Sequence, residues 1–191
     1  MIHILTIVLA ISIFTGRHCL AGELDTPLTV CEVLSKLDKY RGKEVGIRGV
    51  LMGGRHGSAL YDRNQAEAPC PEVLKQQRTW PSAVYLVWPN QKTVDGGPRR
   101  FEPELEAIEK NMADARKQVR ENRDQLIVAT FFGEVRARRR IAIFPREDWY
   151  LGNGYGQGGQ YPAQLVIRTV TDTEVIDSRD WKPRTQSPTK K

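Results

Sequence analysis

Arg136, Arg138, Arg139, Arg140 and Arg146 are crowded into one short stretch that also holds Phe132, Phe144 and Trp149. Guanidinium groups pair with phosphate and carboxylate oxygens, and aromatic rings stack on bases or sugars, so this combination suits a polyanion or glycan surface. The candidate binding residues are therefore Arg136, Arg138, Arg140, Phe132, Trp149 and, from the next loop, Tyr155. A run of arginines also marks the solvated face of an edge strand, which is the plainer reading of the same letters.

Asp62 and Glu134, taken with Arg48 and Arg136, are the groups a phosphodiester hydrolase would use, as base or metal ligand and as partners of the phosphoryl charge. No spacing in the chain assembles them, so no catalytic residue is assigned, and a secreted phosphodiesterase-like hydrolase is the alternative to binding. Gly154, Gly156 and Gly159 match the GxGxxG letters of a dinucleotide loop. That loop works between a strand and the N-terminus of a helix, whereas Pro162 and a β-rich run follow here. The glycines are expected instead to supply positive φ in a loop flanked by Trp149, Tyr150, Tyr155 and Tyr161.

Thiol and metal chemistry depend on where the chain works. Residues from Ile2 to Phe14 are apolar apart from His3, Thr6 and Ser12, the run breaks at Thr15-Gly16-Arg17-His18, and Cys19-Leu20-Ala21 offers a small-x-small cleavage pattern. A membrane span needs about 20 apolar residues. Residues 1–22 therefore read as a secretory signal peptide, cut after Ala21 or Gly22. The competing reading is an uncleaved apolar anchor. Lipid attachment at Cys19 is disfavoured, because Arg17 and His18 stand where small residues are wanted. The expected location is periplasmic or extracellular, with no transmembrane span in the mature chain.

Loss of the leader removes Cys19, His3 and His18 and leaves Cys31, Cys70 and His56. Two cysteines in an oxidising compartment predict one disulfide, Cys31 to Cys70. By the chain-entropy argument, closing a loop of about 40 residues stabilises the fold by on the order of 4 kcal/mol. A zinc site needs three or four ligands, and a catalytic thiol needs a base placed against it. The mature chain cannot gather a zinc site without its only bridge, and it has no calcium-loop spacing; the competing reading of the cysteines is two unpaired thiols, or a catalytic Cys with His56 as the one histidine left to serve. No metal and no cofactor is expected.

The elements that must position these groups can be read from periodicity. Val30, Val33, Leu34 and Leu37 recur at helical spacing between Leu28 and Asp38, with Thr29 as cap and Gly42 as stop. From Lys43 the period becomes two, and Val45, Ile47, Gly49 and Leu51 share one face of a strand that breaks at Gly53-Gly54. Ser58 to Asp62 reads as its hairpin partner, and Ala83 to Trp88 as a buried strand. Phe101, Leu105, Ile108, Met112, Ala115 and Val119 form the apolar stripe of a long helix. Leu126 to Ala137 is a long strand with Gly133 at a bend, and Ala163 to Val170 is the last strand, closed by Asp172, with Leu165, Ile167 and Thr169 alternating with Val166, Arg168 and Val170.

The segments Cys31-Glu-Val-Leu, Tyr40-Arg-Gly42-Lys43-x-Val45-x-Ile47-Arg48-Gly49 and Gly154-Tyr-Gly156-Gln-x-Gly159-x-Tyr161-Pro162-Ala163-x-Leu165-Val166-Ile167 resemble those of a group of exported bacterial proteins of unassigned function. The resemblance spans about residues 28 to 173 and implies a small OB-like barrel. It carries no catalytic residue, and Gln157 stands where that group has His.

The chain has 29 Lys and Arg against 23 Asp and Glu, a net +6, falling to about +5 without Arg17. Part of the excess lies from Ser178 to Lys191, which reads as a disordered basic tail with Trp181 alone in it. The expected organisation is thus a leader (1–22), one domain (23–177) and a tail (178–191). The fold class is α+β: a small OB-like, mostly antiparallel β-barrel with a short N-terminal helix and a long helix between strands 3 and 4. Its expected function is non-catalytic binding of an envelope ligand or protein, as a glycan, polyanion or protein partner; nucleic acid is scarce outside the cytoplasm and is not the expected partner.

Overall fold

The computed structural model describes residues 26–54, 57–63, 82–92, 97–138, 143–145, 150–152, 154–156, 159 and 161–181. The leader, His56, Cys70, Arg139, Arg140, Arg146, Trp149, Gln157 and residues 182–191 lie outside them.

Chain order is β1 (Leu28–Thr29), α1 (Val30–Ser35), α2 (Leu37–Tyr40), β2 (Glu44–Gly54), β3 (Gly57–Tyr61), β4 (Ala83–Val87), α3 (Leu105–Glu121), β5 (Gln125–Ala137), β6 (Ile143–Pro145), β7 (Tyr150–Gly152) and β8 (Ala163–Asp177). Five strands close into a barrel in the order β2-β3-β4-β8-β5, with β5 returning to β2. β6 and β7 form a separate hairpin. Four of the barrel pairings are antiparallel, but β4 and β8 run parallel, so the barrel is mixed. A parallel pair cannot be joined by a tight turn and needs a long crossover, which here contains α3 and β5.

The start of the domain differs from the single helix expected over 28–38. Leu28 and Thr29 pair parallel with Ile47 and Arg48 of β2, and the helix begins only at Val30. Thr29 then caps it: the Glu32 amide donates to Thr29 Oγ1 at 3.1 Å and the Thr29 amide donates to Glu32 Oε2 at 2.7 Å. This capping box satisfies two amides that would otherwise lack partners. Lys36 interrupts the helix, α2 adds one turn, and Gly42 at φ +72 ends it.

Alternation in β2 places Ile47 inside, where it meets Leu60, Val84, Leu86, Phe131, Leu165 and Ile167. The helices α1 and α3 close over this core through Val30, Val33 and Leu34, and through Ile108, Met112 and Ala115. Leu105, although on the expected stripe, is 54% exposed. Phe101 precedes the helix.

β8 is nearly twice as long as its pattern suggests, because two irregularities change the inward set. Phe132 pairs with Thr169 but Gly133 pairs with Ile167, which leaves Arg168 as an extra residue. Val170, not Thr169, therefore enters the core. A second extra residue falls at Asp172–Thr173, where Asp172 takes φ +49, and the strand continues to Asp177 instead of ending there. Gly133 is required at the first bulge, since a Cβ there would lie 2.1 Å from the Val166 carbonyl oxygen.

Ser178 to Asp180 form a 3₁₀ turn that brings Trp181 back onto the barrel. Trp181 is 4% exposed, packs with Val50 and Val128, meets Tyr61 edge-on at 6.1 Å, and donates from Nε1 to the Asp62 carbonyl at 3.0 Å. The four residues from Ser178 to Trp181, which composition assigned to a disordered tail, belong to the folded domain. Trp181→Ala should lower the unfolding free energy by about 3–5 kcal/mol, the usual cost of deleting a buried large aromatic. Urea denaturation measures this, and a loss under about 0.5 kcal/mol would place Trp181 outside the cooperative unit.

Candidate functional site

The basic side chains singled out from sequence do not share an open face. Arg136 is buried and donates to Glu134 Oε2 through Nε at 3.2 Å and Nη2 at 3.0 Å. It also donates to the Gly97 carbonyl at 3.2 Å and to that of Pro98. Glu134, also buried, takes Arg100 on its other oxygen at 3.2 Å. Segment 97–100 thus lies across the outward face of β5 and holds Arg136 in place. Arg99 of the same segment donates to the carbonyls of Trp88, Gln91 and Ile167. Burial first, and the charge of Arg136 second, push the Arg99 pKa down against an opposing Glu102, but a guanidinium remains charged at any ordinary pH.

The aromatic candidates are similarly dispersed. Phe132 is half-buried beside Gly46, whose missing Cβ leaves room for the ring. Tyr155 is buried, and the exposed Arg138 holds its guanidinium 5.8 Å from that ring. Arg140 and Trp149 lie outside the described residues. The glycine segment leads into β8 and not into a helix, and Gly156 and Gly159 take φ of +75 and +62, as expected for a loop. It packs Tyr161 on Tyr85 at 5.6 Å.

The acidic candidates also stand apart. Asp62 accepts the Cys31 amide at 3.0 Å and so tethers the end of β3 to the first turn of α1. It follows Tyr61, which pairs with Val50, and Val50 pairs with Val128. Glu134 then lies six residue steps along β5 from Val128, roughly 20 Å of strand. Arg48 bridges from β2 to the second bulge, donating to the Asp172 carbonyl at 2.8 Å and pairing with Glu174 at 3.2 Å. Among the described residues no three His, Cys, Asp or Glu side chains gather as metal ligands.

A cleft of about 810 Å³ opens elsewhere, between α3 and the end of the barrel, where β2 and β5 present Leu51, Leu126 and Ile127 and the residue after β4 is Trp88. Leu105, Ile108, Glu109, Arg116 and Val119 form its helical wall. Trp88 is the floor: Phe131 supports it edge-on from the core at 6.0 Å, and Arg116 lies over its ring at 4.9 Å. Arg123 stands at the end of the helix. Pockets of this size with an apolar lining and a few charged groups are the usual form of a small-ligand site. Periodicity shows the α3 stripe and places Trp88 at the end of a buried strand, but marks neither as part of a site. The available signal was Leu105, an apolar stripe residue one turn ahead of the buried ones.

Compared with protein-family models, curated proteins and solved structures, the chain matches none. Among the described residues no helix is long and apolar enough to cross a membrane.

Tyr61 provides a titrating probe of this barrel. Burial chiefly, then Tyr161 by charge and hydrogen bond, raise its pKa above 10.0. The folded state therefore holds the phenolic proton more tightly than the unfolded state, and this contribution is complete below pH 10 and is lost as pH rises towards the folded pKa. Unfolding free energy measured from pH 8 to 12 should fall above pH 10 more steeply in the unaltered protein than in Tyr61→Phe. Equal slopes would show that Tyr61 titrates normally.

Proposed function

We propose that this protein is an exported, non-catalytic binding module of the bacterial cell envelope, built on an OB-like barrel, and that its ligand lies in the cleft over Trp88. The observation carrying the reading is that cleft: an aromatic floor fixed from below by Phe131, walls of aliphatic side chains and two arginines at one end. The OB-like assignment is supported by five barrel strands, one parallel closure between the third and fifth, and a long helix between the third and fourth. Fold alone implies no activity, so the argument rests on the cleft.

Binding is favoured over hydrolysis by the placement of the acids. Asp62 and Glu134 would have to converge on one phosphoryl group, yet each is committed to a separate structural contact. Among the described residues the cleft contributes a single carboxylate, Glu109, beside its arginines.

Two measurements test this reading. In the first, indole or cyclohexanol at millimolar concentration should shift the amide resonances of Trp88, Ile108 and Val119 together, and bis-p-nitrophenyl phosphate should not be hydrolysed above background. Shifts scattered over the surface would remove the cleft as the site, and hydrolysis abolished by Asp62→Asn would favour the enzyme.

The second concerns export and the bridge. A Cys31–Cys70 disulfide belongs to this reading because an exported chain leaves two cysteines in an oxidising compartment, and Cys31 stands half-buried at the start of α1. It would anchor α1 to the segment after β3, reinforcing the Asp62 tether. Intact mass of the secreted protein without reductant should correspond to cleavage after Ala21 or Gly22 and one disulfide. A retained leader contradicts export, and two alkylatable thiols contradict the bridge.

A further inference from the structure

The shape of the cleft restricts what can fill it. It follows α3 from Leu105 to Val119, about 21 Å at the helical rise of 1.5 Å per residue, and continues to Arg123. An occupant that uses this length is extended.

The walls then separate a peptide from a hydrocarbon. The backbone of α3, which forms the long wall, is bonded within the helix. Among the described residues one-sided pairing meets the cleft only at its barrel end, where Met52 and Gly53 pair with β3 alone and Gln125 and Leu126 with β8 alone. A peptide laid along Leu105, Ile108 and Val119 would lose water from most of its own N–H and C=O groups without replacement partners along the helix, which is costly. A methylene chain has no such groups, and apolar burial alone draws it in.

Charge sets the direction. Arg116 stands in the C-terminal half of α3 and Arg123 two residues past its end at Glu121, Glu109 stands two turns before Arg116, and the exposed Leu105 forms the far apolar end. The C-terminal end of a helix repels an anion weakly, within its last turn. Two guanidinium groups, each able to pair with an oxyanion, outweigh that effect.

We propose that the cleft binds a single-chain amphiphile with an anionic head, the head between Arg116 and Arg123 and the chain along α3 towards Leu105. This rests on the reading of the cleft as the binding site and names its ligand class. A carboxylate and a phosphate monoester share the chemistry that the arginines recognise.

Dodecanoic acid, dodecyl phosphate and dodecanol, each brominated in mid-chain, are titrated against the purified protein while tryptophan fluorescence is read. Trp88→Phe serves as the blank for the other three tryptophans. Both anions should quench Trp88 with at least tenfold higher affinity than the alcohol, and the better anion identifies the head group. The double variant Arg116→Gln, Arg123→Gln should lower both anions to the affinity of dodecanol while its urea unfolding stays cooperative, and a retained preference for the anions overturns the anionic head. Dodecanol binding as tightly as the anions overturns the anionic head and leaves the cleft as a binding site. Absence of Trp88-dependent quenching by all three overturns the amphiphile, and the binding-module reading falls with it only if indole and cyclohexanol also leave the cleft resonances unmoved.

Discussion

A five-stranded sheet closes on itself only if its longest strands bend sharply, and here the bending is concentrated in β8. An extra residue at Arg168 and another at Asp172–Thr173 let a single strand lie parallel to β4 along one part and antiparallel to β5 along its whole length. Bulges of this kind increase local twist and redirect side chains. The opposing strand has to accommodate the closer approach, and Gly133 does so by presenting no Cβ to the Val166 carbonyl. The second bulge is clamped from across β5 by Arg48, which reaches both the Asp172 carbonyl and Glu174. The first directs Arg168 outward, where it pairs with Glu44 of β2 at 3.0 Å and with Glu104 ahead of α3 at 3.2 Å.

This constraint explains what was legible in the sequence and what was not. Period-two alternation is readable while a strand is regular, so the faces of β2, with Ile47 inward, and of β3, with Leu60 inward, follow directly from residue order. An inserted residue shifts every later side chain to the other face, and nothing in the letters Arg168-Thr-Val marks the shift. That is why Thr169 reads as an inward residue when Val170 is the one that packs. Asp172 reads as a terminator because Asp is common in turns. It does take a turn-like φ, but within the strand, at the bulge.

The candidate site was less legible for a related reason. Residue type shows that Arg136 and Glu134 can do chemistry, but not whether a distant segment covers them. Segment 97–100 has few apolar side chains and reads as a plain connection, yet its carbonyls accept from Arg136 while Arg99 and Arg100 anchor it to β8, the turn after α2 and β5 through Ile167, Gly42 and Glu134. A buried charge needs a partner and satisfied donors, and this arrangement supplies both. The same letters that suggest a basic binding face therefore describe a packed seam. Trp181 is the converse case. Composition assigns it to a polar tail, whereas a single 3₁₀ turn returns it to a small apolar cluster outside the barrel.

The seam also reaches the cleft. Trp88 sits just beyond the end of β4, where no ladder partner holds it, and its carbonyl instead accepts from Arg99 and from the Gln91 amide at 2.9 Å. Arg99 in turn donates to Ile167, the residue immediately before the Arg168 bulge. The floor of the cleft is thus tied by one guanidinium to the irregularity that closes the barrel, while Phe131, inward on β5, supports its ring. A loop-borne tryptophan held in this way is preorganised, since little side-chain or main-chain freedom remains to be lost when something stacks on it. The opposite wall is held from the other side of the same bulge: Ile108, Met112 and Ala115 bury one side of α3, and Asn111 donates to the Val170 carbonyl at 2.6 Å. Val170 is the residue that the bulge turns inward. Both walls of the cleft therefore take their positions from the residues flanking Arg168, so a change that restored regular pairing there would displace the floor and the helix together.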